Sequence, residues 1–496
     1  MLDRYATAVL RLIGRRYDEW EASPPRASDI SRPRSTEPLR KVETVHGLSI
    51  AVDDEDWPSR SFAERALHAL FRSPIYPVAD DLSHWRTRQE GRDGLVEAFT
   101  ERLIPRENAP WEELSSDDAQ SKFAFHGLGA FYLRRLSEPD ADGAHFVVDV
   151  TPMARHQVRT GFERYGAAAF FDADRRIVKI FWSHVGHDIR PGDHDWPHAK
   201  FAWRSSVFVS ITVSDHLWGL HLRLGNDVVT ATRECLGTEH PIRLLLKPYC
   251  FRTVAINHRG ANVLVVERGI PHRAFGLTYE GFLGLLFDGE AEAVLRPFPA
   301  LLAARGTADL PDFPFGEDGQ ALYAVFHRFV AAYVDLYVPD AESMASDLEL
   351  SRWWEALGRV RVDDAPLRDP AQLVDAISAF LFSVAALHEH MGALSEYLVD
   401  PSFLAGRLTP GAVMSDVQST VLCMLLMSGS GLAQPPLMAD FSHLLPRERA
   451  AEGQRVYDDF RAALGALSEE ISGRNGSRSR PYESMNPSFL KCSVSI

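Results

Sequence analysis

Two histidines, His216 and His221, are the residues whose type and spacing best suit metal chemistry in this chain. They lie five positions apart in a mostly apolar run that has no proline, and no glycine before Gly219. On a regular α-helix, residues four apart share a face, whereas residues five apart point well away from each other. The two imidazoles can reach one ion only if the helix widens locally, as a π-turn does, and such turns concentrate at functional sites. Spacing alone favours the plainer interpretation of two unrelated helix histidines, one buried and hydrogen-bonded and one at the surface.

The residues around these histidines form a series of motifs between residues 196 and 257. They are Trp196-x-x-Ala199-Lys200, Trp203-Arg204-Ser205-Ser206, His216-x4-His221, His240-Pro241-Ile242 with Leu245-Leu246, Thr253, and Ile256-Asn257. In order and in interval these motifs resemble the central signature of the lipoxygenases. The resemblance implies that His216 and His221 bind a non-haem iron.

Two further iron ligands follow from the same resemblance. His388 stands in an Ala-Leu-His motif at the family's third histidine, and the chain ends on Ile496, whose free carboxylate would be the last ligand. Imidazole nitrogen and carboxylate oxygen with open positions suit a non-haem iron that exchanges water and changes its oxidation state. The expected cofactor is one iron ion (Fe2+/Fe3+) per chain, and manganese, which accepts the same ligands, stays open.

The sequence departs from the family at four positions near this predicted site. Gly392 stands four residues after His388, where the family usually has Asn, sometimes His or Ser, so water is the expected substitute. Thr212 and Ser395 replace two glutamines that contact the ligands, and such partners tune ligand basicity and redox potential. Tyr249 stands where a histidine is common.

Six positions match family residues that line the substrate pocket. Two of them pinch the pocket beside the iron, three set its depth, and one governs the face on which oxygen is inserted. In that order they are Leu217 and Leu264; Phe208, Ala274 and Phe275; and Gly260. In the family, glycine at the last position accompanies R products and alanine accompanies S products. An R-specific enzyme is therefore expected if the substrate is a fatty acid.

The resemblance implies a dioxygenase that breaks a bis-allylic C–H bond of a polyunsaturated fatty acid and adds O2 to give a hydroperoxide. The altered Gly392, Thr212 and Ser395 motivate an alternative, an iron enzyme that isomerises a hydroperoxide or oxidises a non-lipid metabolite. A third hypothesis is an inactive scaffold that binds an apolar ligand. Retention of the predicted ligands argues against it, because an inactive site has no physical need for them.

Composition and charge narrow the classes of partner. The chain has 496 residues, of which 45% are hydrophobic and 24% charged, as is ordinary for a protein with a large buried core. The formal net charge of −15 argues against nonspecific binding to nucleic acid or to an anionic membrane surface. The expected partners are a small apolar substrate and O2.

Cysteine usage and the N-terminal sequence predict a cytoplasmic protein. Cys235, Cys250, Cys423 and Cys492 form no CxxC pair and suggest reduced thiols. The first twenty residues carry charges among their apolar positions, which predicts an amphipathic helix rather than an export signal. No apolar run is expected to reach the roughly 18 to 20 residues of a membrane-spanning helix.

The predicted domain organisation is an N-terminal helix with a Pro/Ser-rich loop over residues 1–50, followed by a catalytic domain over residues 51–496. The helix covers residues 3 to 20 and the loop residues 22 to 40. The N-terminal β-barrel of many lipoxygenases is expected to be missing, as in short bacterial members.

The predicted fold is mainly α, a lipoxygenase-like helical domain around a long central helix, with a small β-sheet subdomain. Apolar spacing predicts helices between residues 60 and 136, including FAERALHALF and FAFHGLGAFYLRRL. The pattern then changes to short strands at residues 145–150 and at AAAFF and RIVKIFW. SDLELSRWWEAL resembles a family helix that precedes the central one. Residues 371 to 398 are predicted to be the central helix, apolar nearly all round to Leu387.

Overall fold

The computed structural model describes residues 25–43, 49–51, 87, 89–90, 93, 113–392, 394–398, 400–427 and 434–494. Its fold confirms the prediction of a mainly helical body beside a small sheet. The predicted helices at residues 3 to 20 and at FAERALHALF lie outside the described residues. The division at residue 50 stays a prediction.

The small sheet is a five-stranded antiparallel meander. Its strands are β3 (Leu133–Arg135), β4 (Phe146–Asp149), β5 (Ala167–Phe171), β6 (Ile177–Trp182) and β7 (His187–Ile189), paired in that order. A separate two-stranded ribbon joins β1 (Lys41–Glu43) to β2 (Ser49–Ala51). The three strands predicted from alternation are confirmed as β4, β5 and β6. The outer strands β3 and β7 have three residues each, which is too short for a pattern of period two to reveal them.

The prediction of one helix through FAFHGLGAFYLRRL is wrong in its second half. The α-helix Asp117–His126 ends at Gly127, and a 3-10 helix, Leu128–Tyr132, leads directly into β3. A Cβ atom at Gly129 would lie 2.9 Å from the carbonyl oxygen of Phe123, closer than side chains tolerate. The glycines therefore allow a tight reversal, and the apolar residues that follow fill the interior from a turn and a strand.

The other described helices surround two long ones that carry the predicted ligands. Most of them are short, and their apolar residues join one large core. In chain order they are Pro241–Leu246, Thr253–Val263, Ile270–Ala274, Tyr279–Asp288, Phe298–Ala304, Pro314–Tyr337, Ala341–Ser346, Leu348–Ala356, Ser395–Leu398, Val417–Met427 and Ala450–Asn475. Short 3-10 turns include Ala27–Asp29, Thr151–Arg155, Pro248–Cys250, Gly289–Ala291 and Ser442–Leu444.

The first long helix, residues 196–235, is called the histidine helix. It begins as an α-helix (Trp196–Ser210), widens to a π-helix (Ile211–Gly225) and returns to α-helical geometry (Asn226–Cys235). Almost every residue of the first two segments is buried. The histidine helix is thus a core element with neighbours on all sides.

The second long helix, Pro370–Gly392, is called the central helix. Asp369 caps its start in a capping box with Gln372, and Pro370 occupies the first turn, where its missing N–H costs nothing. A π-turn, Ser383–Leu387, directly precedes His388. The predicted end at residue 398 is wrong, because the helix stops at Gly392 and Ser395–Leu398 form a separate short helix. Glycine has low helix propensity, and the chain can leave the helix there.

The expectation that no apolar segment could span a membrane also needs a correction. By length and composition the central helix could cross a bilayer, but 72% of its most apolar window is buried inside the protein. Protein neighbours therefore account for its apolar surface.

The C-terminal helix Ala450–Asn475 is fastened to helix Pro314–Tyr337 through a buried carboxylate, Asp318. Asp318 has no solvent exposure and accepts hydrogen bonds from Arg474 and, at 2.6 and 2.9 Å, from Arg478. Removal of one partner of a buried ion pair leaves the other charge uncompensated. We expect Asp318→Ala to lower the free energy of unfolding by about 3–5 kcal/mol.

Chemical denaturation of both variants would measure this effect, with Glu317→Ala as the control. Glu317 is the neighbouring carboxylate, it is partly exposed, and it lies 3.4 Å from Arg478. Its loss should change the free energy of unfolding by at most about 1 kcal/mol, as for surface pairs. Equal effects of the two substitutions would contradict the role given to Asp318.

Candidate metal centre

Three buried histidines converge between the histidine helix and the central helix. One ligand nitrogen from each of His216, His221 and His388 can be chosen so that all lie within 4.8 Å of one another. The ring centroids are 4.7 to 5.0 Å apart, and His221 Nε2 lies 3.0 Å from His388 Nε2. Two nitrogens each about 2.1 Å from a shared ion and at right angles around it would be about 3 Å apart.

The electrostatics of this cluster favour neutral imidazoles. Burial lowers the pKa of His221 to about 4 and lowers the pKa of His216 and His388 well below the ordinary value for histidine. At neutral pH each ring therefore keeps a nitrogen lone pair. His216 Nε2 is buried and has no hydrogen-bond partner in the described part of the chain. Neutral, converging and partly unpartnered nitrogens fit a bound transition-metal ion.

The π-helical geometry is what brings His216 and His221 together despite their five-residue spacing. The widened segment contains both residues, so the local widening that their spacing requires is present. The interpretation as two unrelated histidines, one at the surface, is wrong because both are buried in one cluster. A π-helix of this kind is rare and occurs mostly at functional sites.

Helix Tyr279–Asp288 and the turn after it hold the widened segment from one side. Ser214 Oγ donates a hydrogen bond to the Leu285 carbonyl at 2.8 Å, and Trp218 Nε1 donates to Glu290 Oε2 at 2.9 Å. Glu290 also pairs with Arg223. At Gly289 a Cβ atom would overlap the Ser214 carbonyl oxygen, so only glycine allows this approach.

Helix Thr253–Val263 holds the widened segment from another side through Asn257. The Asn257 side chain lies 3.2 Å from His221 Nδ1 and donates a 2.6 Å hydrogen bond to the His221 carbonyl. Asn257 belongs to the Ile-Asn motif, but no role was predicted for it. Its place in that motif was the only sequence signal that could have singled it out.

The end of the described chain runs into the interior beside the histidine helix. Cys492, Ser493 and Val494 are fully buried. Cys492 N donates to the Pro435 carbonyl at 3.2 Å, and Ser493 Oγ lies 2.8 Å from Gln434 Oε1. A Cβ atom at Gly225, the last π-helical residue, would be 3.4 Å from Val494 Cγ2. Ile496, the predicted fourth ligand, lies outside the described residues.

The predicted pocket residues are three that were expected to set its depth and three that were expected to narrow it or to govern stereochemistry. Phe208, Ala274 and Phe275 have no solvent exposure, and the two phenylalanine rings meet edge to face with centroids 5.9 Å apart. On helix Thr253–Val263, a Cβ atom at Gly260 would make an ordinary 3.7 Å contact with Leu264 Cδ1. Leu217, next to His216, is also buried.

The positions that depart from the family differ in their surroundings. Thr212 is buried, and its hydroxyl has no hydrogen-bond partner within the described ranges. Gly392 is the last residue of the central helix. Tyr249 is buried against Phe326, with ring centroids 6.2 Å apart. The Ser395 side chain lies outside what the structure describes.

Two further histidines near these helices have structural partners. His240 caps helix Pro241–Leu246, since its Nδ1 accepts a hydrogen bond from Ile242 N and its Nε2 lies 3.0 Å from Asp347. His390 is buried with Nδ1 2.9 Å from the Tyr482 hydroxyl, which ties the central helix to the C-terminal segment. Neither belongs to the three-histidine cluster.

The family model and the relatives to which this chain is similar, as named here, are all lipoxygenases. The lipoxygenase family model matches residues 306–390. The polyunsaturated fatty acid lipoxygenase ALOX15 of Mus musculus is 28% identical over 328 residues, which cover 61% of this chain and 49% of the relative. An arachidonate 12-lipoxygenase of 12R type, also from Mus musculus, is 26% identical over 327 residues, covering 61% and 46%. The chain thus spans about half the length of the curated relatives it matches.

Solved structures show the same fold. A calcium-dependent 11R-lipoxygenase superposes with a TM-score of 0.74 at 17% identity, covering 91% of this chain and 76% of that one. The manganese lipoxygenase of Gaeumannomyces graminis superposes with a TM-score of 0.69 at 20% identity, covering 83% and 86%. The architecture is that of a lipoxygenase catalytic domain. Taken with the family match and the shared motifs, this similarity in sequence and in fold supports the lipoxygenase family for this chain.

Proposed function

We propose that the protein is a non-haem iron dioxygenase that inserts O2 into a polyunsaturated fatty acid to give a hydroperoxide. The observation that carries this proposal is the cluster of three buried, neutral histidines, His216, His221 and His388. These imidazoles would hold the iron together with the carboxylate of Ile496. Iron bound there would supply the one-electron chemistry that breaks a bis-allylic C–H bond.

The protein's own contribution is to bind the hydrocarbon chain, place one CH2 group at the metal and exclude water. Apolar walls suit this task, since they bind a lipid tail without hydrogen bonds and leave the chemistry to the metal site. Buried Phe208, Ala274 and Phe275 would close the deep end, and Leu217 and Leu264 would narrow the pocket beside the histidines. The names of the curated relatives, which refer to polyunsaturated fatty acid and arachidonate, support this substrate class.

Iron is the proposed metal, with manganese as the competing ion. Imidazole and carboxylate ligands accept either one. One structural neighbour is itself described as a manganese lipoxygenase. Elemental analysis of the protein as purified decides between the two.

Gly260 provides a prediction on stereochemistry. We expect the wild-type enzyme to form mainly the R hydroperoxide and Gly260→Ala to shift the product toward S, because the added methyl group would block one region of the pentadienyl radical from O2. The methyl group fits without strain, since its nearest neighbour would be Leu264 Cδ1 at 3.7 Å. Chiral chromatography of the products measures the ratio.

The matched control is Gly473→Ala, a helical glycine whose added Cβ atom would meet nothing within 4 Å. It should leave the R to S ratio unchanged. Mainly S product from the wild type would contradict the prediction.

A second candidate function keeps the metal and changes the reaction to isomerisation of a hydroperoxide or oxidation of a non-lipid metabolite. The buried hydroxyl of Thr212, which has no hydrogen-bond partner among the described residues, favours it, together with the lack of a side chain at Gly392. Both changes remove polar groups that would otherwise tune the metal ligands.

One experiment separates these functions, metal analysis combined with oxygen uptake on linoleate and on arachidonate. Iron with rapid uptake supports the dioxygenase. Iron without uptake supports the second candidate, and a protein without metal that still binds fatty acid would overturn both in favour of an apolar-ligand scaffold.

A further inference from the structure

We propose that Asn257 is a positioning residue that fixes the tautomer and the rotation of His221, so that Nε2 of this ring is kept free for the metal. The inference rests on the proposed function, because it concerns the same metal centre. Asn257 would not touch the metal or the substrate. It would act through His221 alone.

The orientation of the Asn257 amide follows from its two contacts. Its Nδ2 donates to the His221 backbone carbonyl at 2.6 Å, and a carbonyl can only accept. The amide oxygen must therefore face the ring, where Oδ1 lies 3.2 Å from His221 Nδ1. An amide oxygen is also only an acceptor, so Nδ1 must carry the proton. A neutral imidazole with its proton on Nδ1 has its lone pair on Nε2.

The free Nε2 of His221 points into the cluster. It lies 3.0 Å from His388 Nε2, at the place where the ligand nitrogens converge. With the opposite tautomer this lone pair would be replaced by an N–H group, which cannot bind a cation. The Asn257 amide thus determines whether Nε2 of His221 has a lone pair with which to bind a metal.

The same amide supports the widened helix at His221. The His221 carbonyl also accepts a hydrogen bond from Asn226 N, five residues later, as a π-helix requires. Asn257 adds a second donor to this carbonyl. The Asn257 side chain, which comes from a neighbouring helix, therefore holds both the ring and the backbone of His221.

The position of Asn257 argues for a dedicated role. It is 1% exposed in the interior of helix Thr253–Val263, where asparagine is less favourable than alanine or leucine and a buried amide must be hydrogen-bonded. Asn262 on the same helix is different, because its Nδ2 donates to the His258 carbonyl one turn earlier on its own helix. Asn262 is therefore the matched control.

The experiment compares Asn257→Leu, Asn257→Asp and Asn262→Leu in the full-length protein with the metal removed. Mn2+ is titrated in and the free ion is followed by electron paramagnetic resonance. The tautomer of His221 is read from two-bond 1H–15N spectra of the metal-free protein with 15N-labelled histidine, assigned with His221→Ala. Partners of metal-binding histidines contribute about 10–100-fold in affinity.

We expect Asn257→Leu to weaken Mn2+ binding by about 10–100-fold and to populate the Nε2–H form of His221, while Asn262→Leu changes neither. Asn257→Asp keeps the size and the ring acceptor but cannot donate to the carbonyl. It should retain the Nδ1–H form, and it tests the inference even if the leucine variant does not fold.

Two results would overturn the inference. The first is an Asn257→Leu protein that binds Mn2+ with wild-type affinity and keeps the proton of His221 on Nδ1. The second is a metal-free wild-type protein in which His221 carries its proton on Nε2. A wild-type protein that binds no Mn2+ but has the Nδ1–H form would instead contradict the proposed metal site and leave the tautomer assignment intact.

Discussion

His216→Ala, His221→Ala and His388→Ala are each expected to remove most of the bound metal and to abolish oxygen uptake, whereas His240→Ala retains the metal. All four residues are histidines near the motifs of the histidine helix or the central helix, and the first three are buried. Only the first three bring ligand nitrogens within 4.8 Å of one another. With one imidazole lost, two histidines from the described cluster would be left to bind the ion.

His240 is a demanding control because its side chain is only 8% exposed and has a clear structural task. It caps helix Pro241–Leu246 and pairs with Asp347. Its replacement should lower the free energy of unfolding by about 1 kcal/mol, as loss of a helix cap does, without loss of metal.

Elemental analysis of the four purified variants, each normalised to folded protein by circular dichroism, measures the result. Metal loss from His240→Ala equal to that from the other three would contradict the assignment of ligands. Full metal content in any of the other three would remove that residue from the ligand set.

Deletion of Ile496, or addition of even one residue after it, is expected to abolish activity and lower the metal content, while a tag at Met1 has no effect. Chain ends are usually frayed and tolerant of extension. Here Cys492, Ser493 and Val494 are fully buried, and Val494 packs near Gly225 at the end of the π-helix. A carboxylate carried further into such an interior would be costly unless a cation compensates it.

Two variants, one extension and one substitution, distinguish a ligand from an apolar tail that merely packs. One adds a single glycine after Ile496, which moves the carboxylate but keeps the isoleucine side chain. The other replaces Ile496 with Val, which keeps the carboxylate in place and removes one methylene group. We expect the added glycine to strip metal and Ile496→Val to keep it.

Metal content and oxygen uptake are measured for both variants beside a protein tagged at Met1. Full iron and full activity in the C-terminally extended protein would show that the terminal carboxylate is not a ligand. Equal loss of metal in the two Ile496 variants would indicate packing of the side chain as the cause.

Short sequence motifs were sufficient to predict the resemblance to the family and the fold class. The histidine spacing with its flanking tryptophan, arginine and asparagine motifs led to the lipoxygenases, and apolar alternation located β4, β5 and β6. The ends of helices were predicted less accurately. The helix predicted through residue 136 stops at His126, and the one predicted through residue 398 stops at Gly392. In both cases glycine lets the chain turn while the apolar pattern continues.

The convergence of the predicted ligands was decided by the tertiary structure. His221 and His388 are 167 positions apart, and no local pattern specifies that their Nε2 atoms meet at 3.0 Å. The i, i+5 spacing by itself favoured two unrelated histidines, because a regular helix turns them apart. The widened helix is held by Gly289 and Asn257 from neighbouring elements and by the hydrogen bond from its own Ser214 to the Leu285 carbonyl. Their contacts join residues far apart in sequence, so only the packed fold could reveal them.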